Sequence, residues 1–481
     1  MKPLKYSCLI LLAIIVSAGC KKSFLELAPV SNSNANTFFQ SKADFELAVN
    51  NAYSTLYTVY GPNGMMSFCG ELLSDNTTLY QVAQSGTITL GDKWAFRDYS
   101  IISSNTAVNQ FWNDMYSSLY SINIVLNKID AANVDAGFKA QVTGEMKFLR
   151  GLYYFNMVQA WGDVPLVVTP ILAEEAFKLS RTPKDEVYKQ VVDDLRSAAA
   201  SLTAPDKVPA PGKASNGAAK TLLGKVYLTM GDKAAAAQVL REVYTSYNGT
   251  AYDLLPNYGS LWGPTIAHKN TKESIFEIQY KAGANNPSST YWPAFSPFEN
   301  FAITAYGGGM NLVTDDLYNE YEPGDKRRDT SFELGYQKGG QFVAIKFQKK
   351  WKDANAPLVN AAESCNNNFM VLRYADLLLL LTEATDDPQY LNRVRSRVGL
   401  PLFGTAGYPT VKYPTLQLAL EHERRVELAL EFHRWFDLKR TGRALPVLSA
   451  KGKPVDQNKL LLPVPQAARD QNAALAQNPG Y

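Results

Sequence analysis

Histidine is the side chain best suited to proton transfer and metal ligation near neutral pH, and this chain has three: His268, His422 and His433. On one continuous helix His422 and His433 share a face but stand about three turns apart, beyond the reach of a single metal ion. His422-Glu423 is not followed by a second histidine at the spacing of a helical zinc protease. No P-loop, GxSxG or Rossmann glycine pattern occurs, and Gly307-Gly308-Gly309 reads as a loop hinge. No catalytic residue, metal site or cofactor is expected from these patterns. Carboxylates are plentiful, however, and two acids about 5 to 10 Å apart hydrolyse a glycosidic bond without leaving a motif, so a hydrolase stays open.

The densest charge pattern is ERRVELALEFHRWFDLKRTGR, Glu423 to Arg443. Wound as one helix it has no single apolar stripe: Val426, Leu428, Leu430, Phe432, Trp435, Phe436 and Leu438 point to almost every side, with charges between them. Such a helix must be enclosed by protein. Arg424, Arg425 and Arg434 then need carboxylates, and Glu427, Glu431 and Asp437 are the nearest supply. The pattern predicts buried ion pairs that fix how helices dock, in preference to a catalytic carboxylate.

A chain of 481 residues can bury one large core or two to three modest ones. Its net charge is +3, which carries no basic footprint, and nucleic acid is not an expected partner. Residues 1–19 place Lys2 and Lys5 before the apolar run Leu9 to Val16 and then Ser17, Ala18 and Gly19, the plan of a secretory signal too short to span a bilayer. The small triplet ends on Cys20 and resembles a bacterial lipobox, which makes Cys20 the expected lipid-attachment residue and supplies a firm membrane anchor. Residues 20–40, rich in Ser, Asn and Pro, read as the lipidated tether. Cys69 and Cys365 remain for the folded part, where a disulfide is possible but not implied.

Helical spacing then organises the body. Lys42 to Tyr60 carries Phe45, Val49, Ala52 and Leu56 on one face behind a Ser41 cap. Residues 61–104 are broken by glycine and form a first irregular region. Helices are expected over Phe111 to Asp130, Phe138 to Ala160 and Thr182 to Leu202. Leu223, Gly224, Tyr227, Ala236 and Leu240 sit at the spacings of a tetratricopeptide helix pair. From about Thr250 to Asn368 glycine, proline and aromatics dominate, with strand-like pieces at 274–278 and 342–345. Phe369 to Ala384 reads as a buried central helix, and Asn392 to Val398 with Pro414 to Arg443 complete a second helical block. The body falls into 41–249 and 250–481, expected to form one compact unit.

Several stretches together resemble the SusD/RagB family of nutrient-capture lipoproteins. CKKSFLELAPV with DFELAVNNAYSTLY resembles its amino end, and FLRGLYYFNMVQAWGDVPLV its helix with a GDVPLV exit; FMVLRYADLLLLLTEA, NRVRSRVGLP, ERRVELALEFHRWFDLKRTGR and QNPGY resemble its carboxyl half. The resemblance implies a mostly α, SusD-like fold, with tetratricopeptide-like helix pairs as scaffold, long irregular loop regions and a few short strands. It implies a lipid-anchored protein of the cell outer membrane, facing the exterior, that captures oligosaccharides for a SusC-like TonB-dependent transporter and is not an enzyme. Peptide capture on the same fold and a lipid-anchored glycoside hydrolase stand as alternatives. A sugar ring offers an apolar CH face ringed by hydroxyls, so its site needs aromatic platforms beside amides and charges. The first irregular region supplies Asp75, Asn76, Trp94 and Arg97, and the second supplies Tyr291, Trp292 and Phe295.

Overall fold

The computed structural model describes residues 38–83, 86–283, 286–299, 301–354 and 365–481. The predicted leader, Cys20 and nearly all of the tether lie outside them. Helix α1 (Lys42–Ser54) opens on the expected cap, with Ser41 Oγ accepting from Asp44 N at 3.3 Å and Asp44 answering to Ser41 N at 2.8 Å. The predicted single helix to Tyr60 is divided at Thr55 into α1 and α2 (Leu56–Tyr60).

Four elements near the amino end position everything that follows: β1 (Thr77–Thr78), α3 (Leu90–Asp98), α4 (Thr106–Ile129) and α5 (Ala136–Trp161). Against α5 packs α6 (Lys184–Ser201), where Arg150 Nε and Nη2 each reach an Asp194 oxygen at 2.7 Å in a buried, bidentate pair. The predicted tetratricopeptide-like pair is α7 (Asn216–Met230) with α8 (Lys233–Tyr247). Its seam is as close as its small residue requires: a Cβ on Gly224 would stand 2.4 Å from Leu240 Cγ.

The second half alternates short strands and helices. In chain order these are β2 (Ser274–Ile278), α9 (Tyr291–Phe295), β3 (Leu312–Val313), β4 (Phe332–Lys338), β5 (Gln341–Gln348), β6 (Phe369–Arg373), α10 (Tyr374–Thr385), α11 (Pro388–Val398), α12 (Leu416–Glu427) and α13 (Arg434–Arg440). β1 pairs with β3, β2 with β6 and β4 with β5, each antiparallel. One hydrophobic core runs from Phe45 to Leu475 and takes side chains from both sides of position 249.

Two expectations fail here for physical reasons. Phe369 to Arg373 is a strand and not the first turn of a helix: Ile278 pairs with Phe369, and all five strand residues are buried on both faces, so an unbroken apolar run fits either state. Glu423 to Arg443 is not one helix. It stops at Glu427 and restarts at Arg434, with Leu430 and Phe432 at φ +69° and +67°. Left-handed backbone at such residues costs about 1 to 3 kcal/mol each. Compensating contacts surround the break: Phe432 N donates to Glu71 Oε1 at 2.9 Å, its ring stacks on Phe369 at 4.7 Å, and Ala429 O accepts from Lys350 Nζ at 2.6 Å.

The charges of this stretch are buried and paired as expected, but mostly with other partners than the nearest ones. Only Arg424 meets its neighbour, with Nε 2.9 Å from Asp437 Oδ2. Glu427 instead faces Arg327 at 2.8 Å and Arg373 at 2.6 Å, together with Arg397; Glu431 faces Lys350 and Arg373, both at 2.7 Å. Burial alone would raise the Glu427 and Glu431 carboxyls, but these cations outweigh it and hold both below the usual carboxylate range. Cys69 and Cys365 are both buried and no disulfide joins them.

Candidate functional site

The two irregular regions, far apart in the chain, meet in space. β1 and β3 pair Thr77 with Val313 and Thr78 with Leu312, Thr314 N donates to Asn76 O at 3.0 Å, and Ala83 N donates to Gly308 O at 3.0 Å. Gly309 lies at φ +69°, and a Cβ there would fall 1.9 Å from Gln81 O and 3.2 Å from Phe298 Cβ. Only glycine admits this approach. The glycine run therefore acts as a bearing surface for segment 79–83.

Helix α3 braces the same segment from behind. Its Thr89 cap accepts from Asp92 N at 3.1 Å, and its i, i+3 spacing sorts side chains by face. Lys93 and Phe96 turn inward, where Phe96 packs edge-on against Phe68 at 5.0 Å and Lys93 Nζ donates to Ala83 O at 2.7 Å. Burial pushes the Lys93 ammonium down to about 8. Trp94 and Arg97 take the outer face. Arg97 Nη1 donates to Leu79 O at 2.8 Å, and Nε reaches Asp98 Oδ1 at 2.6 Å, so the helix holds the loop through both a lysine and an arginine.

Large apolar rings stand exposed on these braced segments: Tyr80 is 64% exposed, Trp94 38%, Phe298 47% and Phe301 66%. Rings left in water on fixed backbone are the feature that calls for a partner. Of the residues expected to bind a ligand, Trp94 and Arg97 lie on this surface. Asp75 and Asn76 adjoin it but are buried: Arg434 holds Asp75, and Asn76 accepts from Arg425 Nε at 3.0 Å. Tyr291, Trp292 and Phe295 are a correction. All of α9 is buried, with Tyr291 stacked on Phe369 at 5.1 Å, Trp292 against Phe347 at 5.7 Å and Phe295 near Trp351 at 5.9 Å. An aromatic trio in one helical turn has enough apolar area to drive itself inward even between Gly- and Pro-rich flanks. Tyr80, Phe298 and Phe301 were not singled out from sequence. Phe298 and Phe301 continue the three-residue spacing of Trp292 and Phe295, so periodicity alone did not separate the exposed rings from the buried ones.

Two of the histidines are committed elsewhere. His422 Nδ1 lies 2.8 Å from Glu320 Oε1 and its Nε2 3.2 Å from Glu322 Oε1; burial would lower its pKa, but the two carboxylates outweigh that and raise it. His433 Nδ1 lies 2.8 Å from Lys225 Nζ, and burial with that cation pushes it down to about 3. Among the described residues no group of three or more His, Cys, Asp or Glu is placed to hold a metal ion, and no helix is long and apolar enough to cross a membrane.

Comparison with known proteins gives the same picture of the chain from end to end. Residues 23–228 match the family model described as starch-binding associating with outer membrane, and residues 337–481 match that of the SusD family. SusD-like protein P2 of Formosa agariphila is 27% identical over the whole of both chains, and a SusD-like protein of Bacteroides ovatus is 24% identical, covering 90% of this chain and 81% of its own. Among solved structures, a laminarin binding SusD-like protein superposes with a TM-score of 0.78 at 27% identity, covering 92% of this chain and 100% of its own. Surface glycan-binding protein A from Bacteroides thetaiotaomicron, in complex with laminarihexaose, shares the fold with a TM-score of 0.75 at 23% identity, covering 91% of this chain and 99% of its own. Helix pairs as scaffold, two long loop regions meeting at one surface, and family models matched on both sides of that meeting point establish that the chain belongs to the SusD/RagB family.

Proposed function

We infer that this chain captures oligosaccharides at the outer membrane on the surface built from segments 79–83, 86–98, 296–299 and 301–313, and that it binds them without cleaving them. The observation that carries the reading is the set of exposed rings, Tyr80, Trp94, Phe298 and Phe301, on two loop segments that the Ala83 N to Gly308 O bond joins and that α3 and Ser296 hold from either side. Aromatic faces suit the CH faces of sugars, and Arg97 supplies a charged neighbour for hydroxyls. A structural relative at 27% identity is a laminarin binding protein, which supports glycan as the ligand class. Non-catalytic binding fits the acids: Asp75, Asp376, Glu427 and Glu431 are buried against cations, and Glu71 is sealed in the core. Membership of the family supports anchoring through Cys20, an outward-facing position, and transfer of the captured glycan to a SusC-like TonB-dependent transporter. A glycan array probed with the purified protein tests the ligand class. Binding to neutral oligosaccharides with no release of reducing ends supports the reading; cleavage of the bound glycan would replace it with the hydrolase, and binding of peptides alone with the peptide-capture alternative.

A further inference from the structure

A cavity of about 710 Å³ lies between α4, the segment 165–179 and the carboxyl-terminal residues 467–475, and none of the exposed rings of the loop surface lines it. That is the size of pocket that holds small organic ligands. One face of α4 builds its floor. Asn109, Trp112, Asn113, Tyr116 and Tyr120 follow one another at i, i+3, i+4, i+7 and i+11, which places all five along one stripe. The opposite stripe of the same helix, with Phe111, Met115 and Ile122, is core.

The lining decides the class of ligand. No Asp, Glu, Lys or Arg takes part in it, although 19% of the chain is charged. The other large cavity, about 560 Å³, is lined by Lys233, Glu383, Asp386, Arg424, Arg440 and further charges. In the charge-free groove the rings of Tyr120 and Phe177 are 52% and 48% exposed, and the amides of Asn109, Asn113 and Gln471 have no side-chain partner among the described residues. The groove is also held open by its own frame: Tyr116 Oη donates to Pro165 O at 3.0 Å, Asn123 Nδ2 to Val167 O at 2.8 Å, and Asn472 Nδ2 to Leu179 O at 2.8 Å. Anionic lipid, phosphate and charged peptide find no counter-charge here. A lipid tail would leave the amides unsatisfied, at a desolvation cost of about 1 to 3 kcal/mol each.

We propose that this groove is a second binding site for a neutral oligosaccharide, with Tyr120 and Phe177 as ring platforms and Asn109, Asn113 and Gln471 as hydroxyl-binding amides. It rests on the reading of the protein as a glycan binder, and it adds a site lined by other residues than the loop surface. A two-site arrangement would let one chain hold a long glycan while a second segment of it engages the loop surface.

Calorimetry on the full-length protein in detergent, with a panel of neutral hexasaccharides that includes laminarihexaose, separates the two sites. The expected result is two binding events for the hexasaccharide that binds. Tyr120→Ala and Asn113→Asp, both at exposed positions, weaken one event by roughly tenfold or more and leave the other and the melting temperature unchanged. Trp94→Ala does the reverse. A single event that Tyr120→Ala and Asn113→Asp leave untouched while Trp94→Ala abolishes it overturns the groove and leaves the loop reading standing. Loss of all binding in the groove variants with none in Trp94→Ala overturns the loop reading instead, and no binding across the panel overturns both. Crystals soaked with the bound hexasaccharide give an independent check, since the groove must then carry sugar density.

Discussion

Arg434 grips Asp75 with two nitrogens, Nε to Oδ1 at 2.8 Å and Nη2 to Oδ2 at 3.0 Å, and so ties the foot of the first loop region to the carboxyl-terminal helices. Arg425 Nη2 at 3.1 Å and Lys451 Nζ at 2.9 Å complete the cage. Burial alone would raise the Asp75 carboxyl, but Arg434 and Arg425 outweigh it and hold it well below the usual carboxylate range. Asp75→Ala would leave two buried guanidinium groups without this acceptor, a loss of about 3 to 5 kcal/mol. Chemical denaturation should show that drop. A variant as stable as wild type but defective in glycan binding would return Asp75 to the ligand site.

Glu71 behaves in the opposite way. Its Oε1 accepts from Phe432 N, yet burial pushes its carboxyl up from 4.5 to about 8. Between those values the folded chain keeps a proton that the unfolded chain gives up, so this group's contribution to stability is present below 4.5 and lost as pH rises toward 8. Glu71→Gln keeps a carbonyl acceptor for Phe432 and removes the titration. Its melting temperature should gain on wild type as pH is raised from about 5 to about 8, the gap widening by at least about 1 kcal/mol. A gap that stays constant over this range would mean that Glu71 is ionised in the fold.

Cys20 lies outside the described residues. Acyl chains on its thiol and amino terminus would supply the membrane affinity by themselves. Cys20→Ala should yield a protein with the wild-type melting temperature that is recovered in the soluble fraction. Retention in membranes after a salt wash would refute anchoring at this residue.

The sequence made helices legible where one face alone is apolar. α4 and α6 each bury one stripe and expose the other, and the Gly224 seam appears where the tetratricopeptide spacing placed it. It misled where burial is complete, because Phe369 to Leu372 is an unbroken apolar run and carries no period to distinguish strand from helix. The break at Leu428 to His433 was illegible for a different reason. Nothing local forbids a helix there; Glu71, Lys350 and Phe369 from elsewhere hold Leu430 and Phe432 in left-handed backbone. Charge pairing was read in kind but not in partner, since Asp75 and Arg434 are 359 positions apart. At the loop surface the regions were found and the rings sorted poorly. Tryptophan and tyrosine side chains serve a core as well as a ligand, and only the neighbours brought by the fold decide which.

Trp94 and Trp292 provide the sharpest test of that sorting. Both were candidates for stacking on sugar, and the fold separates them: Trp94 stands on the outer face of α3, whereas Trp292 is enclosed with Leu312, Phe347 and Cys365. Trp292→Ala would open a cavity in this cluster and should cost about 3 to 5 kcal/mol of stability. Trp94→Ala removes a ring already in contact with water, so its melting temperature should stay close to wild type. If the ring stacks on the ligand, that same variant loses about 2 kcal/mol of binding, roughly thirtyfold in affinity. Thermal melts and calorimetry on the two variants therefore give opposite patterns. Unchanged affinity in Trp94→Ala for the glycan bound by wild type would remove Trp94 from the site and shift the stacking role to Tyr80, Phe298 or Phe301. A marked loss of stability in the same variant would show that α3 needs the ring for its own packing.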